Sequence, residues 1–328
     1  MSADDRSAWA LVPWTPVADD ETGKAIGWRK QHVPYVAGGV SLQTLDVWIP
    51  AAPPSGATVI DAASLPSRPG HWLVFVHGGA WCDPGISSSA ISAAAKRLLR
   101  GTVDPGPGSG PDPGPSLDSV AGVASLNYRL SPNQDPSSDP ARQAKHPDHI
   151  SDVLAGISFL QRLGAATGPY VLSGHSCGAM LAFQAVMDPA RWGLSTTIAK
   201  PAVLLGLNGL YDLAGFIGDT PPGFEWLRDD YVAFTRNAFG HDESVWKTAC
   251  PATATWWPDE WSEGRRVVLV QSSGDTLVPY SQLEKMRAYL KKSPSLQVDE
   301  KDATGGHDAL WVEGDRLAEI FSEIMSEL

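Results

Sequence analysis

Short, nearly continuous apolar runs recur along the chain at residues 71–77, 121–128, 170–173, 202–207 and 266–271, each bounded by turn-forming residues. Runs of that length suit strands buried on both faces, as in the middle of a parallel sheet. Between them the apolar positions change period. Val153, Leu154, Ile157 and Leu160 recur at helical spacing, and Leu317, Ile320, Phe321, Ile324 and Met325 do so more clearly. Alternating strand and helix predicts an α/β fold with a mostly parallel, doubly wound sheet. Upstream, residues 32–36 and 42–49 are rich in Val, Tyr, Ile and Trp and flank Ala37-Gly38-Gly39, which predicts an antiparallel hairpin at the sheet edge.

Two stretches stand outside this alternation. Residues 101–116 repeat Pro, Gly, Asp and Ser and predict a solvated surface insertion unable to bury enough to order itself. Residues from about 212 to 262 carry Phe216, Phe224, Trp226, Tyr231, Phe234, Phe239, Trp246, Trp256, Trp257 and Trp261, and predict an aromatic cap inserted before the penultimate strand. The order of motifs favours one domain over residues 1–328 rather than two smaller ones.

Composition narrows the function. The 328 residues are 43% apolar, enough for a large core, and the net charge of −12 argues against a nucleic-acid partner, which needs a clustered excess of Lys and Arg. A small-molecule substrate fits better. Cys82, Cys177 and Cys250 have neither disulfide-framework nor zinc spacing and are read as reduced, with no metal and no cofactor implied. The first 16 residues lack the basic start and apolar core of a secretory signal, and no run of ~20 apolar residues could cross a membrane. A soluble, cytoplasmic protein is expected; a homodimer is compatible with the sequence but not specified by it.

The chemistry begins at Gly174-His-Ser-Cys-Gly178, which follows an apolar strand and precedes the helix-prone Ala179-Met-Leu-Ala-Phe-Gln-Ala-Val. This is the strand–turn–helix setting of a nucleophile elbow, with Ser176 as nucleophile and flanking glycines that permit a cramped backbone. A bare G-x-S-x-G arises by chance in roughly one chain in ten of this length, so the motif needs company. His77-Gly-Gly-Ala-Trp81, directly after a strand, supplies glycine N–H groups for a developing oxyanion. Gly78 or Gly79, together with Cys177 at a helix N-terminus, are the expected donors. Cys177 is expected to contribute its backbone rather than its thiol. Downstream come Ser273-Gly-Asp275-Thr-Leu-Val-Pro279 and Gly305-Gly-His307-Asp, giving the chain order Ser, Asp, His of α/β-hydrolases. A serine hydroxyl is a weak nucleophile at neutral pH, so His307 is assigned as general base and Asp275 as its orienter. Asp212 and Asp308 compete for that last role, but Asp275 has the better strand-end context.

Several motifs together carry a family resemblance. His77-Gly-Gly-Ala-Trp81-Cys-Asp-Pro84, Leu126-Asn-Tyr-Arg-Leu-Ser-Pro132, His146-Pro-Asp-His-Ile-Ser-Asp152, Gly174-His-Ser-Cys-Gly-Ala179 and Gly306-His-Asp-Ala-Leu-Trp311 make the chain resemble the kynurenine formamidases (arylformamidases), particularly their fungal branch. The resemblance runs from about residue 71 to 311. It implies hydrolysis of N-formyl-L-kynurenine to L-kynurenine and formate, in tryptophan breakdown toward NAD synthesis. It also implies that Ser176, Asp275 and His307 are the catalytic residues and that the His77 loop is the oxyanion hole. Trp81 and Tyr211 are candidates for substrate binding; Trp81 with the aromatic cap could supply apolar area for the aryl leaving group, and plain core packing is the competing role of Trp81. The Pro/Gly insertion and the long Trp-rich stretch depart from the broader pattern and bear on substrate preference.

Three other readings compete. A carboxylesterase for short acyl esters would use the same triad. A ligand-binding protein on a hydrolase scaffold would usually have lost a triad member, yet all three remain. Metal-dependent hydrolysis through His146 and His149 is opposed by Pro147 between them and by the want of a nearby ligand cluster. Arg129, Arg228 and Arg236 are charge candidates for the substrate's amino-acid end, with structural packing the favoured role of Arg129.

Overall fold

The computed structural model describes residues 3–51, 60–101, 119–133, 137–261 and 266–328. The Pro/Gly-rich stretch at 101–116 falls, but for its first residue, outside them. Among the described residues, nine strands form one sheet: β1 (Thr15–Ala18), β2 (Ala25–Pro34), β3 (Thr44–Pro50), β4 (His71–Val76), β5 (Val120–Leu126), β6 (Tyr170–His175), β7 (Val203–Leu207), β8 (Arg266–Ser272) and β9 (Gln297–Ala303). Their spatial order is β1-β2-β3-β5-β4-β6-β7-β8-β9. The first four strands in that order pair antiparallel and the rest pair parallel.

Among the described residues, ten α-helices accompany the sheet: α1 (Ala3–Leu11), α2 (Ser92–Gly101), α3 (Asp148–Arg162), α4 (Cys177–Gln184), α5 (Leu213–Gly218), α6 (Arg228–Phe239), α7 (Glu243–Ala249), α8 (Ser281–Leu290), α9 (Ala309–Glu313) and α10 (Asp315–Ser326). The period-2 alternation of each strand divides its side chains between two cores. Leu73 and Phe75 of β4 join Val268 and Val270 of β8 against α2 and α10. Val74 and Val76 join Val267 and Leu269 against α3, α4 and α8. Each fully buried aliphatic side chain stabilises by roughly 1.5–3 kcal/mol, so the continuous apolar runs of the sequence follow from a sheet covered on both faces.

Two strands escape the hydrophobic reading. β9 reads Gln-Val-Asp-Glu-Lys-Asp-Ala and buries only Ala303, yet it pairs with β8 over its whole length. Its charges pair with neighbouring elements, Asp299 with Arg266, Glu300 with Arg287 and Lys301 with Glu323, which suits an edge strand that must not recruit another chain. β1 is the other, and it displaces the expected hairpin from the sheet edge by pairing outside β2. The hairpin itself forms with Val33 opposite Leu45, although β2 begins seven residues before the predicted start.

The strand order reverses around β4. The chain runs from β4 to β5 on one side, then crosses to β6 on the other. Ligands of open α/β sheets bind in the crevice beyond the carboxyl ends of strands at such a switch point. The His77 loop leaves β4 there, Ser176 follows β6, Asn208 follows β7 and Asp275 follows β8.

Candidate active site

Ser176 sits on a strained turn. Its backbone adopts φ 55° and ψ −123°, a region that side-chain-bearing residues rarely occupy, between the end of β6 and the first residue of α4. Both flanking glycines are required by contact. A Cβ on Gly174 would lie 2.1 Å from the Gly178 carbonyl oxygen, and one on Gly178 would lie 2.3 Å from the carbonyl oxygens of Val76 and His77. The turn is tied to the sheet through the Ser176 N–H, which donates to Leu207 at 2.9 Å. Helix α4 behind it is wholly buried and apolar except for Gln184, which donates to the Ala249 carbonyl, and this makes the turn a fixed platform.

His307 and Asp275 meet directly, with Nδ1 2.7 Å from Oδ2. The Asp275 carboxylate is fully engaged: Oδ1 accepts the N–H groups of Leu277 and Val278, both at 2.9 Å, while Oδ2 also accepts Gln271 Nε2 at 3.1 Å. The other carboxylates are committed elsewhere. Asp212 caps α5 through Gly215 N–H and pairs with Lys285 at 2.8 Å, and Asp308 accepts the Trp311 indole N–H at 3.0 Å. The His307 loop is held from beneath, because its carbonyl accepts His175 Nε2 at 2.9 Å and Asn208 Nδ2 at 2.8 Å. Burial drives the His175 pKa well below the ordinary histidine value, so the ring is neutral and Nε2 carries the proton it donates. His175 is the residue before Ser176, so this bond joins the elbow to the His307 loop. The Ser176 hydroxyl has no hydrogen bond to His307 among the described residues; such contacts often tighten only as substrate is engaged.

The His77-Gly78-Gly79 loop lies beside the elbow, and a Cβ on Gly78 would come within 3.0 Å of the Ser176 Cβ. The N–H groups of Gly78 and Gly79 have no acceptor among the described residues, and neither does that of Cys177, the first residue of α4. Gly79, Ala80 and Trp81 all have positive φ, of 94°, 49° and 59°. That run turns the Trp81 ring onto α6, with Phe239 edge-on at 5.0 Å and Phe234 at 6.1 Å. The same helix reaches the acid loop, where the Tyr231 hydroxyl donates to the Leu277 carbonyl at 2.6 Å. Thus α6 is the part of the aromatic stretch that lies against the site. Trp257 and Trp261 pack back into the scaffold, donating to the carbonyls of Pro251 and Pro201.

Two expectations change, those for Tyr211 and for the Cys177 thiol, and the histidines and arginines are placed as follows. Tyr211 is not at the Trp81 wall: it is buried against Phe183 at 5.4 Å, with its hydroxyl in the space that side chains on Gly206 and Gly209 would fill. The Cys177 thiol, expected to be a bystander, accepts the Trp81 N–H at 3.3 Å, and burial pushes its pKa up to about 12, so it stays protonated. His146 and His149 diverge: His149 meets the Ser131 hydroxyl at 3.0 Å, while His146 stacks on Phe239 at 5.2 Å. Of the arginines, Arg129 forms a two-pronged pair with Asp152 at 2.8 and 2.9 Å, and Arg228 and Arg236 are exposed on α6. Residues that sequence reasoning missed are His175, Asn208, Gln271 and Tyr128. His175 and Tyr128 lie inside motifs already singled out, whereas nothing local marks Asn208 or Gln271.

A strained serine after a parallel strand, a buried His–Asp pair on later loops and free glycine amides beside them define a hydrolase-type site. The model of the alpha/beta hydrolase family matches residues 73–320, and the chain belongs to that family. Within it, the chain is similar to the kynurenine formamidase-like hydrolase fscH of Fusarium equiseti, 34% identical over 287 residues that cover 84% of this chain and 87% of the relative. It is also 34% identical to the kynurenine formamidase avaC of Aspergillus versicolor, over 75% of this chain and 85% of the relative. Among solved structures, esterase B from Lactobacillus rhamnosis shares the fold with a TM-score of 0.64 at 13% identity, over 99% of this chain and 92% of that one. No helix among the described residues is long and apolar enough to cross a membrane.

Proposed function

We propose that the protein hydrolyses the formamide of N-formyl-L-kynurenine, releasing L-kynurenine and formate, and so acts in tryptophan breakdown. The observation that carries the chemistry is the 2.7 Å contact between His307 Nδ1 and the fully engaged Asp275 carboxylate, on loops tied to the Ser176 elbow. The substrate rests on the kinship with a kynurenine formamidase and a kynurenine formamidase-like hydrolase, each from a fungus.

In this reading Ser176 Oγ attacks the formyl carbon while His307 Nε2 takes its proton. Asp275 holds the proton on Nδ1, so that Nε2 is the basic nitrogen, and it stabilises the imidazolium. The carbonyl oxygen gains the electron pair and is met by N–H groups of Gly78 or Gly79 and of Cys177, where one donor lowers the barrier by about 2.7–4 kcal/mol. Collapse of the tetrahedral adduct breaks the C–N bond, and His307 gives its proton to the departing aryl amine. Water, deprotonated by the same histidine, then releases formate from the formyl-serine.

The fit is physically reasonable. The acyl group is a single carbon, and Ser176 is only 7% exposed. The leaving group is a flat aryl ring, for which the half-buried Phe234 offers apolar area; Trp81, at 0% exposure, and the buried Phe239 pack behind it as core rather than as open surface.

The test is conversion of N-formyl-L-kynurenine to L-kynurenine, followed by absorbance for wild type and Ser176→Ala, with a p-nitrophenyl short-chain ester in parallel. Formamide turnover that vanishes in the variant is the expected result. Ester cleavage through Ser176 without formamide turnover would overturn the substrate and leave a serine esterase.

A further inference from the structure

Tyr128 lies in the Leu126-Asn-Tyr-Arg-Leu-Ser-Pro132 motif, which the chemistry above leaves unused. Its ring is fully buried and stacks on the His77 imidazole with centroids 4.5 Å apart and planes within 15°. Its hydroxyl lies 3.0 Å from the His77 carbonyl oxygen, 3.1 Å from that of Gly78 and 3.6 Å from the Cys177 sulfur. His77 Nδ1 approaches the same Gly78 oxygen at 2.8 Å. Burial lowers the His77 pKa to about 4, so the ring is neutral and donates through Nδ1–H.

Peptide planarity turns these contacts into a statement about the amides. The bonds His77–Gly78 and Gly78–Gly79 are both trans, and in a trans peptide the C=O and N–H of one plane point in opposite directions. Holding the His77 oxygen therefore aims the Gly78 N–H away from Tyr128. Holding the Gly78 oxygen does the same for the Gly79 N–H. These are the two N–H groups with no acceptor among the described residues, on a loop whose Gly78 abuts the Ser176 side chain. Left alone, a Gly-Gly peptide rotates with little steric resistance.

We propose that Tyr128 is the positioning residue of the oxyanion hole, fixing the Gly78 and Gly79 N–H groups by holding the carbonyls on the far side of their peptide planes. It touches no substrate atom and acts through the backbone. The proposal rests on Ser176 acyl transfer as set out above, but not on the identity of the leaving group.

The experiment compares p-nitrophenyl acetate with its thionoester, whose sulfur accepts hydrogen bonds poorly, for wild type, Tyr128→Phe and a variant with 4-aminophenylalanine at position 128. Loss of one oxyanion donor costs about 100- to 1,000-fold, so misaiming two is expected to lower kcat for the oxygen ester roughly 10- to 100-fold. The thionoester rate and both KM values should stay within about threefold, since sulfur draws little on those donors. The oxygen-to-sulfur rate ratio thus falls roughly 10- to 100-fold in Tyr128→Phe and recovers partway with the amine, which restores a donor. Parallel loss on both esters would reduce Tyr128 to a packing residue, and an unchanged ratio would likewise overturn the proposal. Should Tyr128→Phe fail to fold, the amine variant, a weaker donor, must still show a reduced ratio. Absence of formamide turnover in wild type would refute only the substrate, because the ester pair reads the amides independently.

Discussion

Replacing Asp275 with Asn changes one atom, and the surroundings dictate how that atom must sit. The Oδ1 position faces two backbone N–H groups, Leu277 and Val278 at 2.9 Å, and neither can reverse. The amide oxygen is therefore forced there, and its NH2 takes the Oδ2 position opposite His307 Nδ1, 2.7 Å away in the parent. Two donors cannot share that contact, so His307 shifts its proton to Nε2 and accepts through Nδ1. The nitrogen meant to take the serine proton is then already protonated. Gln271 Nε2 meets the same conflict and must rotate, losing its 3.2 Å bond to the Val278 carbonyl. A wrong-tautomer histidine costs about 10⁴ in kcat in a related geometry, or roughly 5.5 kcal/mol of barrier. The assay is kcat and KM for Asp275→Asn against wild type, with thermal unfolding to show that the fold persists and Asp212→Asn and Asp308→Asn as controls. The expected pattern is a loss of about three to four decades in kcat for Asp275→Asn alone. Activity within tenfold of wild type, or an equal loss in Asp308→Asn, would refute the reasoning.

Three further outcomes follow from the same contacts. Gly178→Ala places a methyl 2.3 Å from two carbonyl oxygens of β4 and the His77 loop, so it should fold poorly or lose Ser176 reactivity toward a fluorophosphonate. Cys177→Ala removes the acceptor of the buried Trp81 N–H, expected to lower stability by about 1–3 kcal/mol in denaturant titration while activity falls less than a hundredfold. Burial lowers the pKa values of His77 and His146 to about 4 and of His149 to about 3, so the folded state keeps them neutral where the unfolded chain takes up protons. Stability is then full above about pH 6.5 and falls as pH drops toward 4, each group contributing up to about 1.4 kcal/mol per pH unit. A melting temperature that is flat between pH 7 and 4.5 would contradict this.

The parts of the site that were legible before folding share a reason. Ser176, the glycines around it and the His77-Gly-Gly loop announce themselves because a strained turn and a close backbone approach exclude most residue types locally. The strands from β4 to β8 were legible because a sheet covered on both faces leaves no position for polar residues. β9 was not, since an edge strand draws its stability from pairing with β8 and from ion pairs, neither of which leaves an apolar trace. Tyr211 misled because an aromatic residue near a site looks the same whether it faces substrate or, as here, fills the space beside two glycines.

By itself, then, the sequence determined the alternation of elements, the nucleophile turn and the chain order Ser176, Asp275, His307, all of which depend on local sterics or on burial period. Only the tertiary structure decided which carboxylate meets His307, that His175 and Asn208 carry its loop, that α6 rather than the later tryptophans lies against Trp81, and that Tyr128 holds two carbonyls 50 residues upstream. Those are contacts between segments far apart in the chain, set by strand order and crossover, and no local pattern of polar and apolar residues encodes them.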